Sequence, residues 1–271
     1  MHMATDTDLG GRVAVLTGAS AGIGAATARR LASRGMALAL GARRQDRLDE
    51  LAAELRGEHG VEVLPSQLDV RDAGSVLAFA RTVNAFAGDR GVHLLVNNAG
   101  LARGVTRLPD ATPGDELDWA EMLDVNVMGL LRTTRCFLGA MVERGSGHII
   151  NLGSLAGIET YEGGAVYCAS KAAVRVINRA LRYELLGSGV RVTCINPGLV
   201  ETEFSVVRLG DKDRADAVYA GMTPLTADEI ARAIEWVATL PEFMNIEELN
   251  LQPTDQASAQ RVHRRTAGQP S

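Results

Sequence analysis

Short runs rich in Val, Ile and Leu alternate along this chain with longer stretches whose apolar positions recur at helical spacing. Arg12 to Leu16, Met36 to Leu40, Val61 to Leu68, Val92 to Val96, His148 to Leu152 and Val190 to Ile195 read as strands, with Ile246 to Leu251 as the last. Between them, Gly24 to Arg34, Gln45 to Glu58, Ser75 to Phe86, Trp119 to Glu143, Ala165 to Leu186 and Thr226 to Thr239 read as helices. Thr226 and Glu229 form a capping box at the start of the last helix. Strands apolar on both faces and alternating with helices predict an α/β fold, a doubly wound parallel sheet with helices on both faces. One domain over residues 1–256 accounts for the whole pattern. Pro65 demotes the third strand toward an edge or an end, because proline cannot donate to a ladder. Leu199 to Met222 breaks the rhythm with mixed charge. Following the sixth strand at the carboxyl end of the sheet, it is predicted to be a substrate lid. The polar tail, residues 257–271, is expected to fray.

Composition narrows the function classes. The 271 residues are 46% hydrophobic and 23% charged, with a net charge of −5, which excludes disorder as the main state. Lys and Arg form no basic stripe, so a nucleic-acid partner is not expected. Cys136, Cys168 and Cys194 are scattered, with neither a disulfide framework nor zinc spacing. No apolar run approaches the ~20 residues that span a bilayer, and Met1 to Gly11 lacks the layout of a signal peptide. These features predict a cytoplasmic protein with free thiols, acting on a small molecule without a metal.

The first strand runs into Thr17-Gly18-Ala19-Ser20-Ala21-Gly22-Ile23-Gly24 and then a helix. Glycines in such a turn let backbone amides approach a pyrophosphate, whose charge sits at the helix N-terminus. The second strand ends Gly41-Ala42-Arg43-Arg44. An acidic residue near this point would take two ribose hydroxyls; Ala42 followed by two arginines instead fits the adenosine 2′-phosphate of NADP. Asp69 and Val70, after the third strand, are placed to bracket the adenine, and Asn98 follows the fourth strand at the same edge.

Tyr167 and Lys171 lie a turn apart on one helical face. A neighbouring ammonium favours phenolate, which makes a tyrosine usable as an acid/base near neutral pH. Ser154, just past the fifth strand, is positioned to hydrogen-bond a substrate oxygen. Together with Thr17-Gly18-x-x-x-Gly22-x-Gly24, Asn97-Asn98-Ala99-Gly100, Asn126 and Pro197-Gly198, this order of motifs resembles the short-chain dehydrogenase/reductase family from Gly11 to about Gln256. The resemblance implies a Rossmann-like domain with Asn126, Ser154, Tyr167 and Lys171 as the catalytic group. Tyr167 is then the acid/base and Ser154 orients the substrate oxygen. Lys171 binds the nicotinamide ribose and lowers the tyrosine pKa, and Asn126 supports a water-linked proton relay. A cofactor set of Gly18, Ser20, Gly22, Ile23, Gly24, Arg43, Arg44, Asp69, Val70, Asn98, Tyr167, Lys171, Pro197, Gly198, Val200 and Thr202 follows from the same likeness, as does a homotetramer.

Within that family, Asn97 to Ala102, His148 to Asn151, Pro197 to Val200 and Thr202-Glu203-Phe204-Ser205-x-Val207-Arg208 are similar to the NADP-dependent 3-hydroxy acid dehydrogenases, which include serine 3-dehydrogenases. This implies oxidation of L-serine, L-allo-threonine or 3-hydroxyisobutyrate. Arg103 and the long stretch from Gly104 to Gly114 depart from the pattern. A substrate carboxylate needs a cation, for which Arg208 and then Arg103 are the candidates. Two other readings stay open on sequence: a carbonyl reductase of uncharged ketones, aldehydes or secondary-metabolite alcohols, and a non-catalytic NADP-sensing protein.

Overall fold

The computed structural model describes residues 7–265. Seven strands form a parallel sheet in the order β3-β2-β1-β4-β5-β6-β9: β1 Val13–Thr17, β2 Ala37–Ala42, β3 Val63–Gln67, β4 Val92–Asn97, β5 Gly147–Leu152, β6 Val190–Pro197 and β9 Glu248–Leu251. Successive strand residues face opposite sides, so one run of apolar residues feeds two cores. Ala14, Leu16, Leu38, Leu40 and Val96 pack beneath α1 Gly22–Ser33, α2 Gln45–His59 and α9 Ala227–Thr239. Val13, Val15, Ala39, Leu95 and Val192 pack beneath α3 Ala73–Ala87, α5 Leu130–Arg144 and α6 Ala165–Glu184. The doubly wound sheet is as the alternation predicts, and β3, with Pro65, is an edge strand.

Two stretches differ from the sequence reading. The single helix expected from Trp119 to Glu143 starts earlier and is not uniform: α4 Pro113–Leu123 leads through a π-helical turn, Asp124–Gly129, into α5. Its start is set by Thr112 and Asp115, which cap each other's backbone, with proline at the first helical position. The tail expected to fray is docked as far as Arg265. Arg265 pairs with Asp255 at 2.7 Å and its amide donates to the Gly221 carbonyl, while Arg264 donates to the carbonyls of Val218 and Ala220. Residues 266–271 lie outside the described residues.

The expected lid is present. It comprises β7 Val200–Glu201, α7 Glu203–Leu209, α8 Lys212–Tyr219 and β8 Leu225–Thr226, with β7 and β8 paired as a second small sheet. The Tyr219 hydroxyl donates to the Val200 carbonyl at 2.8 Å and lies 2.6 Å from Ser205 Oγ, tying α8 to α7.

Candidate active site

The strand order reverses between β1 and β4, and the crevice outside their carboxyl ends is where such sheets bind ligands. Asn98 holds the two strand ends together. Its Nδ2 donates to the carbonyls of Thr17 and Gly18, while Thr17 Oγ1 accepts from the amides of Asn98 and Ala99. A Cβ at Gly18 would lie 2.9 Å from Ala99 Cα, and one at Gly24 would lie 2.4 Å from the Gly18 carbonyl oxygen. Glycine is therefore demanded at both positions, and the turn presents backbone at the start of α1. Below it, Asn97 Nδ2 donates to Thr134 and Asn151, and Asn151 donates to Asn178. This buried chain fixes β4, β5, α5 and α6 relative to one another.

The crevice widens into a cleft of ≈ 670 Å³ running from Arg43 and Arg44 to Tyr161 and Arg208. Gly18, Ser20, Gly22, Ile23, Asp69, Val70, Asn98, Pro197, Gly198, Val200 and Thr202 all line it, as expected; Gly24 lies behind the turn. Its floor and turn suit a dinucleotide, with the helix start for a pyrophosphate and two arginines at the adenosine end. Two expected adenosine contacts have partners of their own. Asp69 is clasped by Arg71, whose guanidinium holds its carboxyl below the usual range. Arg44 Nε and Nη2 donate to Ser20 Oγ, and its Nη1 donates to Glu203.

At the other end, Tyr167 is partly buried and packs against the ring of Phe204, with centroids 5.8 Å apart and planes tilted by 53°. Burial pushes its phenol up; the hydrogen bond with Ser154 and the charge of Arg208 pull it back. Lys171 Nζ donates to the Leu152 carbonyl at 2.8 Å, and burial lowers its pKa to about 8. The guanidinium over the Tyr167 ring is that of Arg208, 5.6 Å from the centroid. Ser154 Oγ accepts from the Ala156 amide at 3.1 Å, which fixes the hydroxyl at the end of β5.

Asn126 sits in the π-helical turn, where its side chain clamps residue 101: Oδ1 accepts from the Leu101 amide and Nδ2 donates to the Leu101 carbonyl and to Ser170. A Cβ at Gly100 would lie 3.2 Å from Asn126 Oδ1 and 3.4 Å from Lys171 Nζ, so both polar groups border the space beside this glycine. Ser154, Tyr167 and Lys171 line the cleft, and Asn126 lies beside Gly100.

The two candidate carboxylate binders separate. Arg103 pairs with Glu121 at 3.0 Å, and Glu121 also holds Arg71, so the charge of Arg103 is already answered. Arg208 pairs with no carboxylate among the described residues. Its Nη2 donates to the Tyr161 hydroxyl at 2.9 Å and its Nε to the Gly104 carbonyl at 3.4 Å. Sequence reasoning missed Tyr161, an aromatic between Gly157 and the Gly163-Gly164 pair, and gave Glu203 no role.

The family model for short chain dehydrogenases matches residues 12–212. The chain belongs to that family. Among similar proteins, the NADP-dependent 3-hydroxy acid dehydrogenase of Salmonella typhi is 44% identical over 249 residues, 91% of this chain and 97% of that one. Sulfoacetaldehyde reductase 2 of Chromohalobacter salexigens is 44% identical over 248 residues, 90% of this chain and 95% of that one. A closed form of serine dehydrogenase complexed with NADP+ superposes with a TM-score of 0.84 at 42% identity, covering 93% of this chain and 100% of that chain.

Proposed function

We propose that this protein is an NADP-dependent oxidoreductase that interconverts small 3-hydroxy acids and their 3-oxo counterparts. The observation that carries the reading is Arg208: a guanidinium without a carboxylate partner among the described residues, stacked over the acid/base tyrosine. It offers an anionic group a site within one small substrate's reach of the reacting oxygen.

Gly18, Gly22 and Gly24 with Ile23 form the pyrophosphate turn, Arg43 and Arg44 with Ser20 hold the 2′-phosphate, and Asp69 and Val70 flank the adenine. Asn98, Lys171, Pro197, Gly198, Val200 and Thr202 line the nicotinamide side. A bound cofactor would supply the hydride acceptor for the alcohol carbon as NADP+ and the hydride donor for the carbonyl as NADPH. Tyr167 takes the hydroxyl proton in oxidation and gives it back in reduction. Ser154 donates a hydrogen bond to the substrate oxygen, and Lys171 and Asn126, facing each other across Gly100, lie on the route by which the proton leaves. Phe204, Gln256 and Ala259 line the cleft.

A sulfonate would meet Arg208 and the Tyr161 hydroxyl as a carboxylate does, so a small sulfonated aldehyde is the second reading, supported by the similarity to sulfoacetaldehyde reductase 2. In this reading the protein works in the cytoplasm, where Cys136, Cys168 and Cys194 stay as free thiols. It assembles as a homotetramer through α4–α5 and α6, where Leu117, Met128, Val176 and Tyr183 are exposed apolar residues.

The test is Arg208→Leu. The KM for a 3-hydroxy carboxylate should rise about tenfold or more, the loss expected when a charge-assisted pair is removed, with the KM for NADP little changed. An unchanged substrate KM would refute the assignment.

A further inference from the structure

Glu203 opens the lid helix α7, and two arginines from across the cleft share its carboxylate. Oε2 accepts from Arg44 Nη1 at 3.1 Å and Oε1 accepts from Arg47 Nη1 at 2.7 Å. These side chains are between 42% and 51% exposed, so the pairs add little to folding stability and are screened by salt. Their importance lies in what they connect.

Arg44 belongs to the adenosine end. With its Nη1 engaged by Glu203, its Nε and Nη2 edge faces Ser20, at 3.2 and 3.1 Å. A guanidinium is a rigid planar fork, so fixing one nitrogen fixes the direction of the whole edge. That edge points to the glycine turn, where it can take two oxygens of a phosphate ester beside the Ser20 hydroxyl. Arg47 and Arg44 together hold the Glu203 carboxyl below its usual range, so it stays anionic near neutral pH.

Glu203 also belongs to the lid. It follows Thr202, whose hydroxyl caps α7 by accepting from the Phe204 amide, and the same seven-residue helix carries Phe204 and Arg208 against Tyr167. At ~1.5 Å per residue, this helix spans about 10 Å between the arginine clamp and the acid/base.

We propose that Glu203 is a positioning residue that ties the 2′-phosphate clamp to the lid, so that a cofactor bearing this phosphate seats α7 over Tyr167 and one lacking it does not. The proposal rests on the NADP reading above. A phosphate fixes Arg44 between Ser20 and Glu203 and so anchors the first turn of α7. Without one, Arg44 is held only by its solvent-exposed bonds to Ser20 and Glu203, and the first turn of α7 is anchored less firmly. NADP is then selected twice, at the clamp and again in the seating of Phe204 and Arg208.

The experiment is amide hydrogen exchange of residues 203–209 at saturating NADP+ and saturating NAD+, in the wild type, Glu203→Gln and Glu203→Asp. In the wild type, NADP+ should slow exchange about fivefold or more beyond NAD+, the size of an ordinary coupling between sites. Glu203→Gln should abolish that difference and Glu203→Asp should keep part of it. Under Glu203→Gln the KM for the hydroxy acid with NADP+ should rise toward its value with NAD+. Equal protection by the two cofactors in the wild type, or a difference that survives Glu203→Gln, overturns the coupling. Titrated dissociation constants of the wild type test the NADP reading separately: NAD+ bound as tightly as NADP+ would overturn that reading, and this one with it.

Discussion

Tyr167 is held between opposing influences at the scale of single residues. Burial favours the neutral phenol, while Ser154 and Arg208 favour phenolate. Arg208 is therefore placed both to receive an anion and to ease the loss of the phenolic proton. Removing its charge leaves burial less opposed, so the Tyr167 pKa must rise. In Arg208→Leu, the ascending limb of kcat for oxidation should move to higher pH. Parallel pH profiles of variant and wild type measure this, and a limb that stays in place or moves to lower pH contradicts the assignment. Asn126, Ser154, Tyr167 and Lys171, the proposed catalytic group, were legible from local spacing beside a strand end. Others depend on distant partners. Arg103 lost its candidacy to Glu121 on α4, and Tyr161 acquired its place from Arg208, 47 positions away. Neither partner is visible in a local pattern.

At the scale of elements, the strands were legible because each is apolar on both faces, and Pro65 marked the edge of the sheet. The π-helical turn was not. One widened turn shifts the phase of a helical pattern without ending it, so Asp124–Gly129 reads as ordinary helix although it carries Asn126. The tail escaped for a different reason. Its order comes from arginines bonded to carbonyls and to Asp255, which leave no apolar period. Ala259 borders the cleft, its amide donates to Glu159, and Gln260 donates to the Thr160 carbonyl. The tail thus joins the loop beside Tyr161 to the end of α8. Deleting residues 257–271 should leave the melting temperature within a few degrees of the full chain, because none of its described residues is part of the core. It should speed proteolytic cleavage between 203 and 223 and raise the substrate KM. Limited proteolysis with mapped cut sites checks this, and an unchanged cleavage pattern would mean that the tail does not restrain the lid.

Viewed whole, the molecule is acidic at −5, yet Arg43, Arg44, Arg71, Arg103, Arg208 and Lys171 border its cleft against Asp69 and Glu203. A concave site of one sign on a molecule of the other concentrates anions where they react. The guanidiniums at its two ends match the two charges the proposed reaction brings, a 2′-phosphate and a substrate carboxylate. The most direct test is the rate of NADP+ reduction with L-serine, L-allo-threonine and 3-hydroxyisobutyrate, run beside NAD+ and beside NADPH with uncharged ketones. The arrangement of Arg43, Arg44 and Arg208 predicts turnover of a hydroxy acid with NADP+ and little with NAD+. Turnover confined to uncharged ketones would contradict the role given to Arg208, and equal rates with NAD+ would contradict the role given to the arginine pair.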